Sequence, residues 1–203
     1  MRLKGWLTLG IFIVIIAILA SAYVQSEQTH NVYITLKTNG TDITAYASSP
    51  FIFTNVPNNM IEEMNNKAAT DLVDDTSTVD SVKSDMEAIA RVYGYNATVT
   101  IDSPFGTDQL PMPAQVKGTS MLPTLQDGET IVVLKTKNFK VGDIVVARHP
   151  TYGLIVKRVA AIQDGQVYLM SDNRNITITS NGIYKGLDTW LPTQNVVGVA
   201  KIY

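Results

Sequence analysis

Residues 142–162 read GDIVVARHPTYGLIVKRVAAI and contain two apolar runs, Asp143–Ala147 and Leu154–Ile162. Short apolar runs of this kind, separated by turn residues, are typical of β-strands. The same pattern extends from Gln115 to the end of the chain, where Asp-Gly, Gly-Asp and Asn-Gly pairs separate the runs. The sequence therefore predicts a mainly β region there, with further strands at Thr130–Leu134, Val167–Met170 and Val196–Tyr203.

The preceding region, residues 31–103, has a mixed pattern. Asn31–Phe53 has β-type composition with a turn signal at Asn39-Gly40, and Asn96–Ile101 alternates between polar and apolar residues. Between them, Asn58–Ala69 is compatible with a short helix. Residues 31–103 are therefore predicted to form a small α/β segment, and the prolines of residues 104–114 predict a linker to the β-rich region 115–203.

A second helix is predicted within the α/β segment. Its apolar residues recur at steps of three and four, which places them on one helix face. Ser77 and Asp80 offer a capping box at its start, and Gly94 offers a stop at its end. The residues of the apolar face are Val79, Val82, Met86, Ile89 and Tyr93.

The N-terminus contains an uncharged segment, Trp6–Val24, that is long enough to span a bilayer. Arg2 and Lys4 precede it, so the positive-inside rule predicts a cytoplasmic N-terminus of residues 1–5, a transmembrane anchor at residues 6–24, a tether at 25–30, and an extracytoplasmic remainder. The alternative is a cleaved signal peptide, because residues 20–22 read Ala-Ser-Ala. Both interpretations predict that the rest of the chain is exported.

Composition excludes several classes of protein. The chain has 203 residues, of which 45% are hydrophobic, so a buried core is expected and full disorder is not. A formal net charge of -2, without a dense basic run, argues against a nucleic-acid partner. The absence of cysteine excludes disulfides, thiolate metal sites and a cysteine nucleophile.

The chemically informative stretch is Gly-Thr-Ser-Met-Leu-Pro-Thr at residues 118–124, followed by Lys157 within the apolar run. A serine hydroxyl becomes an effective nucleophile when a neighbouring base takes its proton, and a Ser-Lys pair can do this. On a strand, Ile155 and Val159 share a face with Lys157, while Arg158 points to the opposite face. These apolar neighbours are expected to lower the pKa of the lysine amine by desolvation.

These motifs resemble those of type I signal peptidases. The shared segments are the Ser-Met-x-Pro-Thr box at 120–124, Gly-Asp-Ile-Val-Val at 142–146, Val-Lys-Arg-Val at 156–159, Ser-Asp-Asn-Arg at 171–174, Leu-Pro at 191–192 and Asn-Val-Val-Gly at 195–198. The resemblance covers about residues 115–203. It implies a signal-peptidase-like β fold and a membrane-anchored serine endopeptidase that removes signal peptides from exported precursor proteins. Ser120 would be the nucleophile and Lys157 the general base, the partners would be precursors and the lipid bilayer, and no metal or cofactor is implied.

The resemblance also implies a substrate pocket and an oxyanion site. The backbone N–H of Ser120 would stabilise the oxyanion. Some relatives add a hydroxyl two residues upstream, but this chain has Gly118 there, so a second donor either comes from the backbone, with Gly118 as a candidate, or is absent. Val116 and Val156 are candidate walls for a pocket that accepts small residues before the cleaved bond.

The supporting residues are left open by the sequence. Asp172 either supports the site, as the equivalent acid does in relatives, or belongs to a plain turn. Residues 175–180 lack the acid that relatives have, so Ser180 and Thr179 are candidate hydroxyl donors to the lysine, and Ser171 replaces a usual glycine. His149 is interpreted as a loop residue rather than a base. Asp188 is a weaker candidate for a role at the site than His149.

Two alternative functions are also compatible with the sequence. The first is self-cleavage of the kind used by SOS repressors, whose Ser-Lys domain is similar, although this chain has no Ala-Gly dipeptide. The second is a non-catalytic, membrane-tethered binding module that kept the fold and lost the activity through its altered region at 171–188. Cleavage of a precursor by the wild type and by Ser120→Ala separates these alternatives.

Overall fold

The computed structural model describes residues 13–21, 30–50, 55–174, 177–179, 182–184 and 186–201. Residues 13–21 form a helix, α1, whose side chains are exposed. Among the described residues, no helix has both the length and the apolar character needed to cross a membrane. Most of the predicted anchor at 6–24 and nearly all of the tether at 25–30 lie outside the described residues.

The α/β segment is built on a four-stranded sheet with the strand order β2-β1-β3-β4. β1 is antiparallel to β2 and parallel to β3. The alternation that predicted β1 is visible in its burial, because Val32, Ile34 and Leu36 face the core. The strands are β1 (Asn31–Thr38), β2 (Ile43–Ser48), β3 (Asn96–Ser103) and β4 (Gly106–Thr107).

Two helices, α2 (Asn58–Val73) and α3 (Val79–Val92), connect β2 to β3 and share one core with the sheet. The predicted face of α3 is confirmed by the burial of Val82, Met86 and Ile89. The predicted capping box is wrong by one residue at each position. Thr78 Oγ1 accepts from the Ser81 backbone N–H, and the Ser81 side chain accepts from the Thr78 backbone N–H.

The end of α3 follows the prediction. Gly94 has a φ of +81°, a left-handed conformation that favours glycine, and its N–H donates to the carbonyl of Arg91. The chain then turns directly into β3. Helix stop and strand start are therefore set by the local sequence.

The second sheet has seven strands in the order β12-β9-β8-β7-β13-β6-β5, and every neighbouring pair is antiparallel. The five predicted strands are all present, with shifts of one or two residues at their ends; residues 202–203 lie outside the described residues. The strands are β5 (Pro111–Gln115), β6 (Thr130–Leu134), β7 (Ile144–His149), β8 (Gly153–Gln163), β9 (Gln166–Met170), β12 (Thr189–Pro192) and β13 (Val196–Lys201).

Several strands were not predicted. Besides β12, a short antiparallel pair is formed by β10 (Thr177–Thr179) and β11 (Gly182–Tyr184). The segment predicted as a linker, residues 104–114, contains β4 and most of β5, and its Leu110 and Met112 are buried. The domain boundaries themselves stay a prediction.

Pro111 and Pro113 suggested a linker but lie on the open edge of a sheet. Leu110 O accepts from the N–H of Lys135, and the N–H of Val116 donates to Glu129 O, so the even-numbered residues of this stretch bond to β6. The two prolines consequently face the open edge, where a missing N–H breaks no ladder bond. This explains why a proline-rich segment forms a strand here.

Candidate active site

Ser120 lies in a compact turn that follows β5. The N–H of Leu122 donates to Thr119 O, and the N–H of Leu125 donates to Met121 O. The side chains of Met121 and Leu125 are fully buried in the core beneath the sheet, whereas Ser120 is partly exposed. The turn is thus anchored by its apolar residues and presents its hydroxyl at the surface of the core.

Lys157 and Ser120 are brought together from positions 37 residues apart, and Lys157 Nζ lies 2.6 Å from Ser120 Oγ. Lys157 is in β8, opposite Val145 of β7, and is 5% exposed. Alternation along β8 places Ile155 and Val159 on the same face, as the sequence predicted. The amine is therefore surrounded by apolar side chains and directed at the serine hydroxyl.

Burial lowers the pKa of Lys157 below the ordinary value of 10.5, and the negative charges of Asp188 and Asp172 act in the opposite direction. The direction and its main cause are those expected from the apolar strand. Because a neutral amine can accept a proton and an ammonium cannot, the lowered pKa extends the pH range in which Lys157 is a base.

Asp172 connects the serine turn to β8. Its carboxylate accepts two hydrogen bonds from Arg158, at 2.7 and 2.6 Å, and one from Thr124 Oγ1 at 2.5 Å. Arg158 also donates to Gly142 O, on the side of β8 opposite to Lys157. The ion pair with Arg158 lowers the pKa of Asp172, which therefore stays ionised. These contacts are those of a positioning residue, since they reach the serine turn and not the lysine amine.

Asn173 holds the serine turn more directly, and the sequence interpretation did not assign it a role. Its backbone N–H donates to Ser120 O at 2.9 Å, and its side-chain amide donates to Thr119 O at 2.9 Å. The only signal in the sequence was its place in the Ser-Asp-Asn-Arg segment. The contacts could not have been inferred from spacing, because they join residues more than fifty positions apart.

The negative charge of Asp188 affects the pKa of Lys157, which the sequence interpretation did not expect. Of the two carboxylates that raise the pKa of Lys157, it has the larger effect. Its own position is fixed by the backbone N–H of Ser171, at 3.1 Å, and by an ion pair with Arg174 at 2.6 Å. Asp188 thus has an electrostatic influence on Lys157 that the sequence interpretation did not assign to it.

Gly186 makes room for the side chain of Ser171. Ser171 is 2% exposed, and its hydroxyl donates to Leu187 O. A Cβ atom at Gly186 would lie 2.6 Å from Ser171 Oγ, which is closer than atoms can pack. Gly186 thus leaves the space that the side chain of Ser171 fills.

The predicted contribution of Gly118 to an oxyanion site is wrong. Its backbone N–H donates to Asp127 Oδ1 at 2.7 Å, so this donor is used to hold the loop together. Gly118 has a φ of +85°, which explains why glycine stands there. The backbone N–H of Ser120 donates to no group of the described residues, and Ser120 lines the cleft described next.

A cleft of about 480 Å³ lies beside the Ser120–Lys157 pair. Val116 and Val156, the predicted pocket walls, both line it, and Ile131 and Val146 contribute from neighbouring strands. Besides the Ser120–Lys157 pair, the remaining lining comes from residues 112–115 of β5, from Lys117, from Tyr152, Leu154 and Ile155 around the start of β8, and from Val73 at the end of α2.

Residues 84–181 match the family model of Peptidase S24-like proteins. This region is similar to Peptidase S24-like proteins, and the match covers just under half of the chain. The match begins within α3 and includes both Ser120 and Lys157. The family contains type I signal peptidases and autocleaving Ser-Lys proteases, and the match supports a serine peptidase in general. The comparison with curated proteins gives no match.

His149 was predicted to be a loop residue, but the structure places it in a strand. It is the last residue of β7, and its Nδ1 accepts from the backbone N–H groups of Thr151 and Tyr152. Its ring also packs against that of Tyr152, with centroids 4.8 Å apart. These contacts close the β7–β8 turn; that His149 takes no part in proton transfer stays a prediction.

Two predicted supporting residues lie where the structure gives no side-chain information. Ser180 is outside the described residues, and Thr179 is described only by its backbone in β10. In the part of the S24-like region and its flanks that is described, no cluster of three or more His, Asp or Glu residues could hold a metal ion.

Proposed function

We propose that the chain is a membrane-anchored serine endopeptidase that removes signal peptides from exported precursor proteins. The observation that carries the proposal is the 2.6 Å contact between Lys157 Nζ and Ser120 Oγ beside an open cleft. In the acylation step, Ser120 Oγ attacks the carbonyl carbon of the scissile bond while the neutral Lys157 amine takes the hydroxyl proton.

The later steps use the same two residues. The Lys157 ammonium returns its proton to the departing amine as the peptide bond breaks, which leaves an ester on Ser120. Lys157 then takes a proton from a water molecule that attacks this ester, and Ser120 recovers that proton when the carboxylic acid product leaves. The N–H of Ser120, which donates to no group of the described residues, is the donor available to the oxyanion.

The open edge of β5 supports an extended peptide as substrate. β5 ends the seven-stranded sheet, and the carbonyl groups of Pro111 and Pro113 point away from β6. An extended chain can add to such an edge through its own N–H groups. Val116 and Val156 then provide apolar walls near the dyad that suit a small side chain next to the cleaved bond.

Residues 13–21 support the membrane anchor. They are helical and expose apolar side chains, among them Ile13, Ile16 and Leu19, at more than half of their surface. They belong to the uncharged stretch at 6–24 that follows Arg2 and Lys4. An apolar helix with this flanking charge favours insertion in a bilayer with the peptidase region on the extracytoplasmic side.

The function is tested with full-length protein in lipid vesicles and a separate precursor that carries a signal peptide. Wild type is expected to release a mature product with one new N-terminus, and Ser120→Ala is expected to release none. Intact mass measurement of the peptidase itself reports self-cleavage in the same samples. Cleavage of the chain's own backbone without cleavage of the precursor would favour the autocleaving alternative, and a folded wild type without either activity would favour the binding module.

The membrane topology is tested on the same vesicles after insertion from the side that corresponds to the cytoplasm. Protease added to the opposite side is expected to digest residues 25–203 and leave a protected N-terminal fragment. Digestion of this region only after the vesicles are opened would reverse the orientation.

A further inference from the structure

We infer that the α/β segment supplies a distal subsite of the peptidase cleft, in which Val73 together with Tyr152 and Leu154 binds an apolar side chain of the substrate. The inference rests on the proposed function, because it assigns a role to the α/β segment in peptide cleavage. Val73 is the last residue of α2 and is the one described lining residue of the cleft that this segment contributes.

The end of α2 is fixed against the seven-stranded sheet by two basic residues. Lys135, which follows β6, donates from Nζ to the backbone carbonyl groups of Asp71 and Asp74. Arg148 of β7 binds both the carboxylate and the backbone carbonyl of Asp75. Cations at the carbonyl end of a helix are stabilising, since they bond its unpaired carbonyl groups and oppose its dipole. The bonded residues, Asp71 before Val73 and Asp74 and Asp75 after it, therefore hold Val73 in position at the cleft.

Val73 and Leu154 present aliphatic side chains to the cleft, Tyr152 presents an aromatic ring with one hydroxyl, and all three are open to solvent. Val73 is 60% exposed, Tyr152 64% and Leu154 47%. The ring of Tyr152 is supported by His149, and its backbone N–H is bonded to the same histidine. These side chains are fixed in place and exposed beside the cleft. A ligand that covers them removes apolar surface from water, which favours binding.

The subsite is separated from the dyad along β8. Leu154 precedes Lys157 by three residues, which corresponds to about 10 Å of extended chain. An extended substrate bound alongside β8 covers the same distance with about three residues. The side chain that meets Val73 is therefore about three or more residues from the cleaved bond, whereas Val116 and Val156 face the residue next to it.

The test compares two variants, Val73→Ser and Val92→Ser. Val92 is a matched control because it is also the last residue of a helix, α3, is 80% exposed and does not line the cleft. Each protein is assayed with a set of peptides that share a cleavage site and carry a single leucine or serine at successive positions, from two to six residues away from it. kcat/KM is measured for every pair.

Wild type and Val92→Ser are expected to prefer leucine over serine at one distal position. Val73→Ser is expected to lose about fivefold in kcat/KM for that leucine peptide and to keep its rate on the serine peptide. An unchanged leucine preference in Val73→Ser, with normal turnover, would overturn the inference and leave the proposed function intact. Equal cleavage by Ser120→Ala would instead remove the proposed function itself.

Discussion

The peptidase cleft and the junction between the two sheets each contain a lysine whose pKa is lowered by burial. At the cleft, Lys157 meets a serine hydroxyl and apolar neighbours. At the junction, burial lowers the pKa of Lys135 to about 8, but its amine donates to two helix carbonyl groups. A carbonyl oxygen has no proton to give, so Lys135 cannot act as a base toward its partners.

A low pKa alone therefore does not identify a catalytic lysine. Desolvation prepares the neutral amine in both places, and the chemical nature of the partner decides what the amine does. Lys157 faces a hydroxyl that can become a nucleophile, whereas Lys135 fixes the end of α2. Substitution of Lys157 and of Lys135 tests this distinction.

The largest expected effect is the contrast between Lys157→Met and Lys135→Met. Loss of the general base is expected to lower kcat/KM for precursor cleavage by about 10²- to 10⁴-fold. Lys135→Met is expected to retain activity within about tenfold, because its amine bonds only to helix carbonyl groups. Steady-state kinetics on one precursor peptide measures both, and losses of equal size would contradict the distinction.

Asp172→Ala is expected to lower kcat/KM by about tenfold or more, since it removes the ion pair with Arg158 and the bond to Thr124 that hold the serine turn against β8. Thr124→Val is the smaller control, because it removes one bond and leaves the ion pair. A kinetic comparison in which Thr124→Val is the more damaging change would show that Asp172 does not act by positioning the turn.

The pH dependence of unfolding tests the junction lysine. The unfolded chain keeps the lysine proton up to about 10.5, whereas the folded protein releases it near 8. Between these values the unfolded state binds more protons than the folded state. The contribution of Lys135 to the free energy of unfolding therefore increases, and stabilises the fold, as pH rises through this window. Urea unfolding of wild type and Lys135→Met below and within the window is expected to show this difference, and parallel pH profiles would contradict it.

The smallest expected effect is a shift of the acidic limb of the kcat/KM profile in Asp188→Asn. The negative charge of Asp188 raises the pKa of Lys157, so its removal lowers that pKa further and moves the limb to lower pH. His149→Ala is the control and is expected to leave the limb in place. A limb that disappears in His149→Ala would transfer the role of base to the histidine.

Much of the fold follows from local sequence. Alternation in β1 and β8, the apolar face of α3 and the stop at Gly94 each depend on residues that are close in the chain. The Ser120–Lys157 pair was also predicted, because its two motifs are individually recognisable. The capping box was misplaced by one residue, since Ser77 and Thr78 are both able to cap and only the backbone conformation at Thr78 selects between them.

The strand pattern, the α/β segment and the Ser120–Lys157 pair could be predicted without a structure, because periodicity and residue type act over a few neighbouring positions. The residues that surround the pair could not, because they come together only in the folded chain. Asn173 reaches the serine turn across 54 positions, and Val73 reaches the cleft from the end of helix α2. Such contacts depend on strand register and on how two cores pack against each other, which are properties of the whole chain and not of any segment.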